Sequence, residues 1–179
     1  MKRELLLEKW EDNKYHNLYS LIQIDVILSR YTEFCKDGGR RNITVSIEEL
    51  SELIQVITKD MRGFPDRFNY IEELADVTIC TIYMVQICGL SWENISGLED
   101  PVIVNPLDCI KLLNEAQANL ILWLNSSCCK RYLEDSVKNI TSVVEFLMNR
   151  CKISREEINK MMCIKIDRIN TVFKERHLI

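Results

Sequence analysis

The sequence predicts an all-α protein, a multi-helix bundle, from three observations. Only 5 Gly and 3 Pro occur among 179 residues, and 47 % of the residues are apolar. Residues that break helices are confined to a few short stretches. Strand-like alternation of apolar and polar residues is nowhere sustained. At this length we expect a single domain over residues 1–179.

The first predicted helices follow from apolar spacing and from glycine. An amphipathic segment over Arg3–Phe34 favours one long helix or two shorter ones, ended by the pair Gly38-Gly39. The next helix is predicted over Thr44–Met61, where apolar residues recur at the spacing of one helix face. We expect these segments to bury one face each.

A turn over residues 62–69 separates this helix from the next one. Asn69, with Glu72 three residues later, resembles a capping arrangement that starts a helix running to about Cys88. Gly89 is the expected end of that helix. Three later helices are predicted, over about Pro106–Leu124, Tyr132–Asn149 and Ser154–Arg176.

The two parts of the chain, residues 1–98 and 99–179, share a weak internal similarity. Cys88–Ile95 matches Cys151–Ile158 at Cys, Ser, Glu and Ile, with an offset of 63 residues. Tyr70–Glu72 matches Tyr132–Glu134 with an offset of 62. A degenerate duplication of a two-helix unit would make the fold a pseudo-dimer within one chain. Chance similarity between amphipathic helices is the alternative.

Charge and hydropathy argue against several classes of function. The net charge of −4 is unlike that of a general nucleic-acid binder. Residues 1–16 lack the apolar core of a signal peptide, and the uncharged run Val77–Trp92 is too short and too polar to span a membrane. We therefore expect a cytoplasmic protein with no membrane partner, whose 8 cysteines are reduced thiols.

Five acidic residues form the strongest functional pattern. Glu48, Glu49 and Glu52 lie in one predicted helix, and Glu73 and Asp76 lie in the next. Glu49 with Glu52, and Glu73 with Asp76, are i,i+3 pairs that share a helix face. If the pairs face each other, four crowded carboxylates must take up protons or bind a divalent cation. Oxygen ligands suit Mg²⁺, with Mn²⁺ as the alternative ion.

We name Glu49, Glu52, Glu73 and Asp76 the acid cluster. Two ordinary roles are alternatives to a metal site. Acids on an exposed face are simply solvated. Acids in the first turn interact favourably with the helix dipole and stabilise the helix by about 0.3 to 1 kcal/mol. The dipole explains Asp76 least well, because this residue shares a face with apolar side chains, where an unpaired carboxylate is costly.

The order of these motifs resembles the MazG-like all-α nucleoside triphosphate pyrophosphohydrolases, a superfamily that includes dCTP pyrophosphatases and dimeric dUTPases. The similar stretch covers about residues 42–90. Within it Ile47–Gln55 reads IEELSELIQ and Ile71–Val77 reads IEELADV. The resemblance implies a fold of the MazG-like type.

The resemblance also implies an activity, Mg²⁺-dependent hydrolysis of a nucleoside triphosphate, with a deoxynucleotide favoured, to the monophosphate and pyrophosphate. The acid cluster would hold the metal, and Glu48 would be a general base or would orient one. Lys59 and Arg62 would contact phosphate, as would Lys165 and Arg168 on a late helix that resembles the family's phosphate-side helix. An exposed surface charge is the alternative role for each of these five residues.

A non-catalytic helical protein that binds a nucleotide or a partner, and keeps the acidic motif, is the alternative function. A purely structural bundle is a third. In the repeat alignment Lys111, Leu112 and Lys138 stand in place of Glu48, Glu49 and Asp76. We therefore expect one acid cluster per chain. The preferred base cannot be read from the sequence, and a homodimer is left open.

Overall fold

The computed structural model describes residues 3–12, 15, 23, 27–28, 39–125 and 129–175. Over these residues the chain is all-helical, as predicted, with seven α-helices and no strand. The helices are α1 (Arg3–Glu11), α2 (Arg40–Met61), α3 (Arg67–Cys88), α4 (Trp92–Ser96), α5 (Pro106–Asn125), α6 (Lys130–Cys151) and α7 (Arg155–Glu175).

The long helices α2, α3, α5 and α6 form the central bundle. Helices α2 and α6 each pack against both α3 and α5, while α7 lies along α3, α1 along α7 and α4 along α6. The residues at the centre of the bundle are at most 1 % exposed: Leu50, Leu53, Ile57, Leu74, Val77, Met84, Leu113, Ala116, Leu120, Val137, Ile140 and Leu147. Each of the four helices therefore turns its apolar face inward.

Gly39 lies at the start of α2, and the helix end predicted before it lies outside the described residues. The helix begins at Arg40, four residues before the predicted Thr44, and Gly39 is its N-cap with φ 84° and ψ 1°. This left-handed conformation suits glycine, which has no Cβ to clash. Gly38 and most of the predicted helix over Arg3–Phe34 lie outside the described residues, apart from α1 and a few isolated positions.

The start of α3 corrects the predicted cap. Asp66, not Asn69, is the N-cap, and its carboxylate Oδ1 accepts a hydrogen bond from the backbone N–H of Asn69 at 3.1 Å. Asn69 is thus the third residue of the helix. The prediction was wrong because two residues able to cap lie three positions apart, and the earlier one satisfies an otherwise free amide.

The beginning of α3 is fixed to the beginning of α7. The guanidinium of Arg67 donates two hydrogen bonds to the carboxylate of Glu157, at 2.7 and 2.8 Å. It also donates to the carbonyl oxygen of Lys152 at 2.9 Å. Because this fork geometry restrains both position and angle, α7 is held along the side of α3.

The ends of α3 and α6 have the same backbone geometry. Gly89 has φ 54° and ψ 45°, and Lys152 has φ 53° and ψ 45°. In each case the backbone N–H of the next residue closes a six-residue turn. The N–H of Leu90 donates to the carbonyl oxygen of Val85, and the N–H of Ile153 donates to that of Met148, both at an N···O distance of 2.9 Å. The prediction that Gly89 ends its helix is confirmed.

A single offset of 63 residues relates α3 to α6, since each has 22 residues and they begin at Arg67 and Lys130. Buried positions follow the same offset: Tyr70 with Leu133, Leu74 with Val137, Val77 with Ile140 and Met84 with Leu147. This helix offset differs by one residue from the offset of 62 at which Tyr70–Glu72 matches Tyr132–Glu134. At the helix offset, Asp76 aligns with Asn139 rather than with Lys138.

The two left-handed positions yield a stability prediction. We expect Lys152→Gly to raise the free energy of unfolding by roughly 1 kcal/mol, because an L-residue pays for a left-handed conformation that glycine adopts freely. Gly89→Ala should lower it by roughly the same amount. A Cβ at Gly89 meets nothing closer than the Lys130 Nζ at 4.0 Å, so steric clash does not add to this effect.

Urea denaturation measures both changes. Lys152→Ala is the control, since it removes the side chain but keeps the backbone strain, and it should be close to neutral. A stabilisation by alanine as large as that by glycine would contradict the backbone explanation.

Candidate metal centre

Three residues of the acid cluster converge where α2 packs against α3. One carboxylate oxygen from each of Glu49, Glu52 and Glu73 lies within 4.8 Å of the other two. Glu73 is buried, Glu49 is half-buried and Glu52 is exposed, so the group has an inner wall and an open side. The i,i+3 spacing places Glu49 and Glu52 on one face of α2, as the sequence predicts.

Asp76, the fourth residue of the cluster, is engaged by a cation. The Lys165 ammonium of α7 donates a hydrogen bond to Asp76 Oδ2. The same Lys165 Nζ lies 3.6 Å from Glu72 Oε1. All three side chains are largely buried, and Lys165 is 15 % exposed. Lys165 therefore partly offsets the charge of the acid cluster from the α7 side.

Crowding and burial change the protonation of the acid cluster. Burial, followed by the charges of Asp76 and Glu52, raises the pKa of Glu49 to about 7 and that of Glu73 to about 8. Burial also raises the pKa of Asp76, although Lys165 opposes it. Near neutral pH the cluster must therefore hold protons or a cation.

The buried carboxylate of Glu73 points most directly to a ligand. Glu73 is 7 % exposed, and its Oε2 atom has no hydrogen-bond partner among the described residues. A buried carboxylate oxygen without a partner costs stability unless it is protonated or bound. The oxygen-only donor set fits Mg²⁺ or Mn²⁺, so the residues present suit the ions predicted from the sequence.

The wall next to the cluster consists of neutral side chains. Cys80 and Met84, which share a face with Asp76, are buried at 6 % and 0 % exposure. Burial raises the pKa of the Cys80 thiol to about 12, although its hydrogen bond with Ser46 opposes this. The thiol stays protonated at neutral pH and is not a thiolate ligand.

The remaining predicted site residues lie on the surface. Glu48, Lys59, Arg62 and Arg168 are all exposed. Over the described part of the chain, none of the four forms an ion pair. Glu48 is close enough to Glu49 for its charge to contribute to the raised pKa of that residue. The structure thus brings Lys165 to the cluster and leaves the other three cations facing solvent.

Sequence reasoning placed Glu72 in a capping arrangement with Asn69 and missed its contact with Lys165. The useful signal was the i,i+4 spacing of Glu72 and Asp76, which places both carboxylates on the face that α7 covers. A cavity of about 260 Å³ lies elsewhere, lined in part by Thr78 and Thr81. Because Thr78 follows Asp76 by two residues, it projects from a different side of α3.

Comparison of the chain with protein-family models, curated proteins and solved structures finds no match. Among the described residues, no helix combines the length and the apolar character needed to cross a membrane. The case for a function therefore depends on the geometry of the acid cluster and its surroundings.

The raised pKa values predict how stability depends on pH without metal. A carboxyl group whose pKa is higher in the folded state stabilises the fold fully below its unfolded pKa, near 4.5. That contribution is lost as the pH rises through the folded value, which is about 8 for Glu73. We expect Tm in EDTA to fall between pH 5.5 and 8.5, by roughly 3 °C or more.

Glu73→Gln should make this pH dependence shallower, since it removes the charge while keeping the shape of the side chain. Glu115→Gln is the matched control, because Glu115 is an exposed acid of α5 whose ion-pair partner among the described residues is Lys111. Equal pH slopes for wild type and Glu73→Gln would show that Glu73 ionisation is not costly.

Proposed function

We propose that this chain is a Mg²⁺-dependent nucleoside triphosphate pyrophosphohydrolase acting on cytoplasmic nucleotides, with a fold of the MazG-like type. The observation that carries the proposal is the buried Oε2 atom of Glu73, which lies within a group of three converging carboxylates and has no hydrogen-bond partner in the described part of the chain. The matching motifs IEELSELIQ and IEELADV add support, since the acids at issue lie inside them.

In this proposal Glu49, Glu52, Glu73 and Asp76 would hold Mg²⁺, and the ion would supply neutralisation of phosphate charge and a lower pKa for the attacking water. The water oxygen forms a bond to the α phosphorus. The bond from that phosphorus to the oxygen bridging the α and β phosphates breaks, and pyrophosphate leaves. Glu48, exposed beside Glu49, accepts the proton of the water. The exposed side of the cluster at Glu52 gives a triphosphate room to approach.

Three exposed cations suit the phosphate chain. Lys59 lies two helical turns beyond Glu52 on the same face of α2. Arg62 follows directly after α2, and Arg168 lies one turn beyond Lys165 on α7. Because none of the three has an ion-pair partner among the described residues, no existing pair must break for them to contact phosphate.

We further propose that the second half is a duplicated unit that has lost three of the four acids of the cluster and keeps Glu115 at the position of Glu52. The equal lengths and matching ends of α3 and α6 support this origin. At the offset of 63, Glu49 corresponds to Leu112 and Glu73 to Ser136, whose hydroxyl donates to backbone carbonyl oxygens. The second half then completes the bundle, and each chain has one metal site.

The cavity of about 260 Å³ supports the same duplication. Its lining includes three residues of α3 and the three residues of α6 that lie 63 positions later: Thr78, Thr81 and Ile82 with Thr141, Val144 and Glu145. A cavity lined by corresponding positions of two units is what a twofold relation between them produces.

Turnover of nucleotides tests the enzyme. We expect purified protein with Mg²⁺ to release pyrophosphate, not orthophosphate, from at least one common nucleoside or deoxynucleoside triphosphate. Glu49→Gln and Asp76→Asn should each reduce kcat/KM by roughly 100-fold or more, because each removes a negatively charged metal ligand.

Glu115→Gln provides the matched control and should retain wild-type activity, since it lies outside the acid cluster. Melting curves of all variants separate lost chemistry from lost folding. No turnover of any nucleotide, together with nucleotide binding that neither substitution changes, would reject the enzyme and favour the non-catalytic binding protein.

A further inference from the structure

We propose that Lys165 competes with the divalent metal for Asp76, so that metal and nucleotide bind cooperatively. The metal alone binds weakly, and a triphosphate strengthens its binding by drawing the Lys165 ammonium away from Asp76. This inference rests on the proposed function, because it concerns the regulation of the same metal site.

The contacts of Lys165 place it in direct competition for the fourth carboxylate. Its ammonium bonds to Asp76 Oδ2, and Asp76 does not belong to the group formed by Glu49, Glu52 and Glu73. An ammonium hydrogen bond and a metal bond compete for the same carboxylate oxygen. The two positive charges also repel each other strongly at such short range in a partly buried site.

Glu72 gives the displaced ammonium a second acceptor. Lys165 Nζ already lies 3.6 Å from Glu72 Oε1, so a small rotation of the side chain can exchange one carboxylate for the other. A largely buried ammonium with no partner would be costly, and Glu72 removes that cost. The exchange requires only the flexible four-carbon side chain to move.

The α7 backbone is held in place while the side chain moves. Arg67 fixes the first turn of α7 through Glu157. Two residues after Lys165, the Asp167 carboxylate accepts a hydrogen bond from the Tyr15 hydroxyl at 3.2 Å. Helix α7 therefore keeps Lys165 within reach of the acid cluster.

A triphosphate supplies the oxygens that favour the displaced position. Phosphate oxygens next to the metal attract the ammonium as strongly as a carboxylate does. Each ligand then increases the affinity of the other by the same factor. With Lys165 absent, the metal meets a free Asp76, and the nucleotide loses one cationic contact.

Isothermal titration with Mg²⁺ alone tests the competition, with Lys165→Met compared with wild type. We expect Lys165→Met to bind Mg²⁺ about tenfold more tightly, because a neighbouring opposite charge shifts carboxylate binding equilibria by this order. Lys160→Met is the matched control: it removes a buried lysine from the same helix, away from the acids, and should leave Mg²⁺ affinity unchanged.

A second titration measures the cooperativity, using the α,β-methylene analogue of the nucleotide that is hydrolysed fastest. In wild type and Lys160→Met the analogue should strengthen Mg²⁺ binding more than it does in Lys165→Met. All proteins are titrated at the same concentration of analogue. The Mg²⁺ that the free analogue binds in solution is then the same in each titration and does not affect the comparison.

Two further measurements guard against misfolding of Lys165→Met. Lys165→Gln should also bind Mg²⁺ more tightly, because it keeps a hydrogen-bond donor without the charge. In wild type labelled with ¹⁵N-lysine, the Lys165 ammonium signal should shift when Mg²⁺ is added, whereas that of Lys160 should not.

Unchanged or weaker Mg²⁺ binding by a folded Lys165→Met, or a Lys165 signal that Mg²⁺ does not move, overturns the competition. If wild type still releases pyrophosphate, only this inference fails. If neither wild type nor variant binds Mg²⁺, both this inference and the proposed function fail.

Discussion

The packing of α2 against α3 forces acidic side chains together, and the rest of the site depends on this constraint. The apolar faces of the two helices are buried in the core, so neither helix can rotate to separate Glu49 from Glu73. The gain from burying those faces holds like charges close together. Burial and that repulsion together raise the pKa values of Glu49 and Glu73, and the ion pair of Lys165 with Asp76 partly offsets the repulsion.

The position of α7 links the bundle to its site. Helix α7 is fixed at its first turn by Arg67 and Glu157, and further along it presents Lys165 to Asp76. In the duplication proposed above, the second half has lost three of the four acids of the cluster, and Lys165 contacts acids of the first half. The proposed twofold relation thus extends to the helices and not to the site.

Local spacing predicted much of this structure. The i,i+3 pairs identified the acid cluster. The bounds of α3, α5 and α6 were predicted within two or three residues at each end. These bounds could be predicted because apolar periodicity and helix-breaking residues are features of short stretches of sequence. The cap at Asp66 was missed because Asn69 offers similar chemistry. The pairing of Lys165 with Asp76 could not be derived, since it depends on how α7 docks onto α3.

The ion pair between Lys165 and Asp76 joins residues 89 positions apart, and this separation has a consequence for synthesis. The acids of α2 and α3 leave the ribosome well before the lysine that offsets their charge. Until α7 docks, the newly synthesised helix pair α2–α3 must hold protons or bind a cation from solution. Such a long-range contact also forms late in folding. With the metal site proposed above, Mg²⁺ would then bind this helix pair during folding, before any nucleotide arrives.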